Sequence, residues 1–190
     1  MIVARQKRNE NIAEYILYMW QIEDIIRALE FDEVKIKGYV DQGYRLEPEM
    51  MEQVFIWYVM LANTMEENGV KEKGHLKMLD ELMADLEELS ENLLKEPSQT
   101  LYSSVYFQTL PSIIQLRELS GGKEMGIIET CFVGIYGFLT LKAKGEEVSE
   151  ETTASIQQFS TFLAMLADRF RSVEEGELTL DTVQKEDGEA

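Results

Sequence analysis

Glu129 is the residue whose setting most invites chemistry. It lies in MGIIETCFVGIYGFLTL, residues 125–141, a stretch that is apolar on every side. At about 100° per residue it shares a helical face with Met125, Phe132, Val133 and Tyr136. A carboxylate in such a place must be paired, hydrogen-bonded or protonated. One expectation is therefore a general acid or base, or a ligand anchor, with Tyr136 and Tyr106 as further ligand-binding candidates. The competing expectation is structural: a pair with Arg117, Arg27 or Arg45, or a helix end that reaches water.

On another side of the same segment lie Gly126, Thr130, Gly134 and Gly137. Small residues on one face let a neighbouring backbone come close, or leave room for a ligand beside the helix. His75 is the only histidine and Cys131 the only cysteine. With one histidine there is no HExxH and no pair of Glu-x-x-His ligand motifs, so no metal and no cofactor is expected. GxGxxG, P-loop and GxSxG motifs are missing too. His75 reads as a surface or helix-end residue. Cys131 reads as an inert core thiol. The aromatic groups Phe55, Trp57, Tyr58 and Tyr102, Tyr106, Phe107 read as core, with an inter-helical small-molecule pocket as the functional alternative.

Charge narrows the partners. The 190 residues carry 18 Lys and Arg against 36 Asp and Glu, a net charge of −18. That excess argues against nucleic acid and against an anionic membrane surface. Arg5, Lys7 and Arg8 form the one basic cluster, free to pair with the chain's own acids or to steer an acidic partner. Asn9, Glu10, Asn11 and Glu14 interrupt any signal-peptide core, and the unpaired cysteine suits a reducing compartment, so a cytoplasmic location is expected.

The elements that must hold these residues are helical throughout. The pattern predicts helices over about 9–31, a short one over 32–42, and one opening at Pro48 and stopping at Asn68-Gly69. A narrow stripe of Leu76, Leu79, Met83, Leu86 and Leu93 marks the next, which Pro97 ends. Another covers 98–119, with Pro111 predicting a kink or break near Thr109. The last two cover 123–144 and begin near Ser149, the final one with a seam of Ile156, Phe159, Leu163, Leu166, Phe170 and Val173. The expected fold is all-α: a single-domain bundle of about six main helices plus a short extra one over residues 1–174, centred on 54–62 and 127–141. Residues 175–190 are expected to be an acidic, disordered tail.

In the first helix Glu10, Glu14, Gln21 and Asp24 share a solvated stripe. Glu23 and Arg27, four apart, form a favourably oriented ion pair on another side. One turn earlier that side carries Ile12, Ile16 and Trp20, a candidate interface within the fold or between subunits. The opening ARQKRNENIAEYILYMWQIEDIIRA, residues 4–28, resembles a family of small helical proteins of unknown function from Bacteroidetes. The resemblance implies a cytoplasmic bacterial protein and brings no catalytic motif, so no functional residue is carried over. The leading functional expectation is a non-enzymatic interaction or regulatory module, self-associating or bound to a protein partner. The alternative is a small-molecule binder with an apolar pocket near Glu129. An enzyme using a buried glutamate ranks third.

Overall fold

A computed structural model describes residues 2–121 and 125–180. The described residues form eight helices and no strand: α1 (Ile2–Glu10), α2 (Ile12–Ala28), α3 (Glu33–Gly43), α4 (Pro48–Glu67), α5 (Lys77–Lys95), α6 (Thr100–Ser120), α7 (Ile127–Ala143) and α8 (Glu150–Glu174). The fold is all-α, as the periodicity predicts. No described helix is long and apolar enough to cross a membrane.

Local chemistry sets the boundaries. The helix expected over about 9–31 is α2, and a separate helix, α1, precedes it where none was expected; between them Asn11 leaves the helical region (φ −157°, ψ 107°) and caps α2. Its side chain accepts from the amides of Ala13 at 2.9 Å and Glu14 at 3.1 Å. Asp32 does the same for α3, accepting from Val34 at 2.8 Å and Lys35 at 3.0 Å. Pro48 opens α4, and Gly69 (φ 72°) follows its last turn. Ser149 caps α8 through the Thr152 amide.

Pro111 does not break α6, which runs continuously through it. A proline φ fits a helix, and the loss is one backbone bond, at the carbonyl of Phe107. Phe107 is exposed, so water can serve that carbonyl. α6 is further held by packing on α7 and α8. Residues 175–180 close the end of α8, with Gly176 in the left-handed region and the amides of Glu177 and Leu178 donating to the Ser172 carbonyl. The rest of the expected acidic tail, 181–190, lies outside the described residues.

The chain divides into two compact units, residues 1–82 and 83–190, with the boundary inside α5. In unit 1, α2 packs on α1 and α4, and α3 on α4. Its fully buried side chains include Ile16, Ile26, Ile36, Tyr58 and Met65. In unit 2, α6, α7 and α8 pack on one another around Tyr102, Ile113, Phe132 and Phe162. Each such side chain contributes about 1.5–3 kcal/mol of burial free energy. The two apolar segments that the sequence marks as central thus lie one in each unit.

Candidate functional site

Glu129 is not sealed in an apolar helix. α7 begins at Ile127 rather than Lys123, so Glu129 is its third residue and only half-buried. A carboxylate in the first turn is favoured by the positive end of the helix dipole. Its Oε2 accepts weakly from the Gly126 amide at 3.4 Å. Among the described residues it pairs with no arginine. Arg117 instead donates to the Met125 carbonyl and, through Nε, to Thr130 Oγ1 at 3.0 Å.

The capping carboxylate of α7 comes from α5. Glu87 Oε1 accepts from the amides of Ile128 at 2.8 Å and Glu129 at 3.2 Å. Gly126, the N-cap residue, has no side chain to do this. A Cβ placed there would fall 2.1 Å from Glu87 Oε1, so the glycine makes the space that the carboxylate fills. Burial pushes the Glu87 carboxyl above the ordinary carboxylate range, and the two amides and Arg117 pull it part of the way back. This arrangement holds a helix end in place. Cys131 lies beneath it, buried, with its thiol pushed up by burial and unsuited to act as a thiolate nucleophile.

The small-residue face of α7 divides in two. A Cβ at Gly134 would meet Leu116 and Phe159 at 2.9 Å, which is close packing. Gly137 has nothing within 4 Å. It opens onto a groove of about 330 Å³ between α6, α7 and α8, lined by Leu119, Phe138, Leu141 and Ile156 among others. Glu129, Tyr136 and Tyr106 do not line it. Tyr106 packs edge-on against Phe162 at 5.8 Å, and its hydroxyl is pushed up by burial.

Among the described residues the fully buried carboxylate is Glu23, which the wheel of α2 places in a simple ion pair. Arg27 does sit beside it at 4.0 Å, but also bonds Asp24 at 3.0 Å. The guanidinium further donates to the carbonyls of Val70, Lys71 and Gly74. Glu23 accepts from the Leu76 amide at 2.8 Å and meets His75 Nδ1 at 2.6 Å. The His75 ring stacks on Trp20, centroids 4.2 Å apart. Together Glu23 and Arg27 fasten the 70–76 loop to α2. Ile12, Ile16 and Trp20, offered by the sequence as an interface, are buried by their own chain at 3%, 0% and 4% exposure. The seam on α8 is likewise buried from Ile156 to Leu166. No group of three or more acidic, His or Cys side chains suited to a metal occurs among the described residues.

Unit 1 also contains a half-open cavity of about 550 Å³, with Ile2, Val3 and Leu46 at its exposed rim, which no single stretch of sequence reveals. α1 contributes Ile2, Val3 and Arg5; the α3–α4 connection contributes Tyr44 and Leu46; α4 contributes Met50, Gln53 and Val54. Positions 50, 53 and 54 share one face of α4, and Pro48 fixes where that face begins. Tyr44 ends α3 in extended conformation, its amide donating to Val40 and its hydroxyl 3.0 Å from that of Tyr58. Burial raises the Tyr58 phenol first, and the Tyr44 contact adds to it, so Tyr58 stays a neutral hydroxyl. The one hint in the sequence is Arg5, a member of the basic cluster.

No curated protein and no solved structure matches the chain. A family model described as a domain of unknown function (DUF4924) matches residues 1–177. The chain belongs to that family.

Proposed function

We propose that this chain is a non-enzymatic binding module whose ligand is a small, largely apolar molecule held in the unit 1 cavity. The observation that carries this reading is the cavity itself. At about 550 Å³ it falls in the range of small-molecule sites, roughly 300–1,000 Å³. It has five apolar walls and three polar groups, the composition such sites use to combine affinity with orientation. Of the stripes that suggested self-association, Ile12, Ile16 and Trp20 and the α8 seam from Ile156 to Leu166 are buried by the chain itself, while Val173 is exposed, so the cavity is the feature on which this reading rests. Catalysis by a buried glutamate has lost its motivation as well, since Glu129 and Glu87 serve a helix end and Glu23 serves a loop.

The test is a titration with the neutral fluorescent probe N-phenyl-1-naphthylamine. The wild-type chain is expected to bind it with blue-shifted emission. Met50→Trp, which fills the cavity from a half-buried position, is expected to abolish binding while leaving the far-UV circular dichroism unchanged. Equal binding by the folded variant, or none by the wild type, contradicts the reading.

A further inference from the structure

We infer that the unit 1 cavity takes a monoanionic organic acid, its carboxylate at Arg5 and Tyr44 and its apolar body against Ile2, Val3, Leu46, Met50 and Val54. This inference rests on the cavity being a ligand site and adds which chemistry it selects.

The first support is a contrast in charge. Acidic residues outnumber basic ones 36 to 18 along the chain, yet among the described residues no carboxylate lines the cavity. Its polar groups are a guanidinium, a phenol and an amide. The second is the state of Arg5. Its neighbour Lys7 is paired with Glu14 at 2.8 Å, Arg27 with Asp24 at 3.0 Å and Arg171 with Asp168 at 3.0 Å, whereas Arg45, like Arg5, has no carboxylate partner among the described residues; Arg5 differs from Arg45 in lining the cavity. Among the described residues Arg5 has no carboxylate within 4.0 Å. A planar guanidinium on so acidic a chain, left unpaired beside apolar walls, is matched by a carboxylate in bidentate contact.

The rim adds to this. Tyr44 presents a hydroxyl already positioned by Tyr58. α4 begins between the lining residues Leu46 and Met50 with no side-chain cap, so the positive end of its dipole lies at the same rim. Glu47 and Glu49 flank Pro48 there, and the net charge of −18 opposes anions at long range. Screening over about 8 Å at physiological salt weakens that long-range opposition, and Arg5, the cation on the lining, compensates one negative charge but leaves the second charge of a dianion such as phosphate unmatched. The head is therefore a monoanion, and the apolar walls supply most of the affinity.

The test is isothermal titration of the full chain at 0.15 M salt with three probes of one tail length, each below its micelle concentration: dodecanoate, dodecan-1-ol and dodecyltrimethylammonium. Dodecanoate is expected to bind at least about ten-fold more tightly than dodecanol, with the ammonium weakest. Arg5→Gln, at an exposed position, is expected to bring dodecanoate to the dodecanol level and to leave dodecanol binding unchanged. Met50→Trp should lose all three. Equal binding of dodecanol and dodecanoate, or an Arg5→Gln variant that loses nothing, overturns the anion preference while leaving the cavity as a ligand site. Failure of every probe to bind overturns both.

Discussion

Each unit uses a carboxylate from the middle of one helix to satisfy amides near the start of another, but the two are built in opposite ways. In unit 1, Glu23 of α2 takes the Leu76 amide just before α5, with His75 and Arg27 supplying cationic or donor partners. In unit 2, Glu87 of α5 takes two amides of α7, and a glycine rather than a base makes the place. Glu23 is sealed in; Glu87 is only partly buried and carries its carboxyl above the ordinary range. Burying a carboxylate is tolerated either by surrounding it with donors or by shifting its protonation. The comparison teaches that a buried acid in a helical protein can belong to a helix end that is distant in sequence. Such an acid need not be catalytic.

The largest expected effect is on the sealed carboxylate. Glu23→Ala removes the acceptor of a buried amide and of His75, and should destabilise the chain by about 3 kcal/mol. Glu129→Ala, at a half-buried helix start, should cost less than about 1 kcal/mol. Urea denaturation of both variants checks the ratio. Similar losses would mean that the two acids are equivalent and the comparison is wrong.

Next come the glycines. Gly126→Ala forces Glu87 out of its capping position and should cost about 1–2 kcal/mol. Gly137→Ala, in open space within a helix, should be neutral or stabilising by up to about 1 kcal/mol. Melting temperatures of the pair decide the point, and a Gly126→Ala variant as stable as the wild type would remove the glycine's role.

These contrasts mark what the sequence makes legible. Helix identity and the buried faces of α5 and α8 follow from spacing at three and four, because a local period needs no knowledge of neighbours. The stop at Asn68-Gly69 and the start at Pro48 follow from backbone chemistry in the same way. The break at Asn11 is also written locally, as Asn with Glu three residues later, but is easily lost in an otherwise continuous pattern. Glu129 looks buried on a wheel because the wheel ignores where α7 begins. Glu87 and Glu23 stay hidden for a different reason: their partners are 41 and 53 residues away, a separation that no periodicity encodes. The cavity draws on three elements and has the same obstacle.

A smaller effect concerns the pH dependence of Glu87. The folded-state pKa of Glu87 is raised by burial, so the folded chain holds that proton more readily than the unfolded one. Its contribution is therefore most favourable below the ordinary carboxylate pKa and is lost as pH rises through the raised value. As pH falls from about 7 toward 5, the wild type should gain stability relative to Glu87→Gln, whose amide oxygen accepts the same two bonds without titrating. At pH 7 the variant should be equal to or more stable than the wild type. A wild type that instead loses ground to the variant on acidification would show that the carboxylate is lowered, not raised.

The cavity of unit 1 and the groove of unit 2 complete the comparison, because only the first combines apolar walls with a guanidinium. Methyl-resolved NMR of the full chain titrated with dodecanoate tests this most directly. The account predicts shifts at the methyls of Ile2, Met50 and Val54, with those of Leu119, Leu141 and Ile156 unmoved. Shifts confined to the unit 2 methyls, or no shifts at saturating dodecanoate, would contradict it.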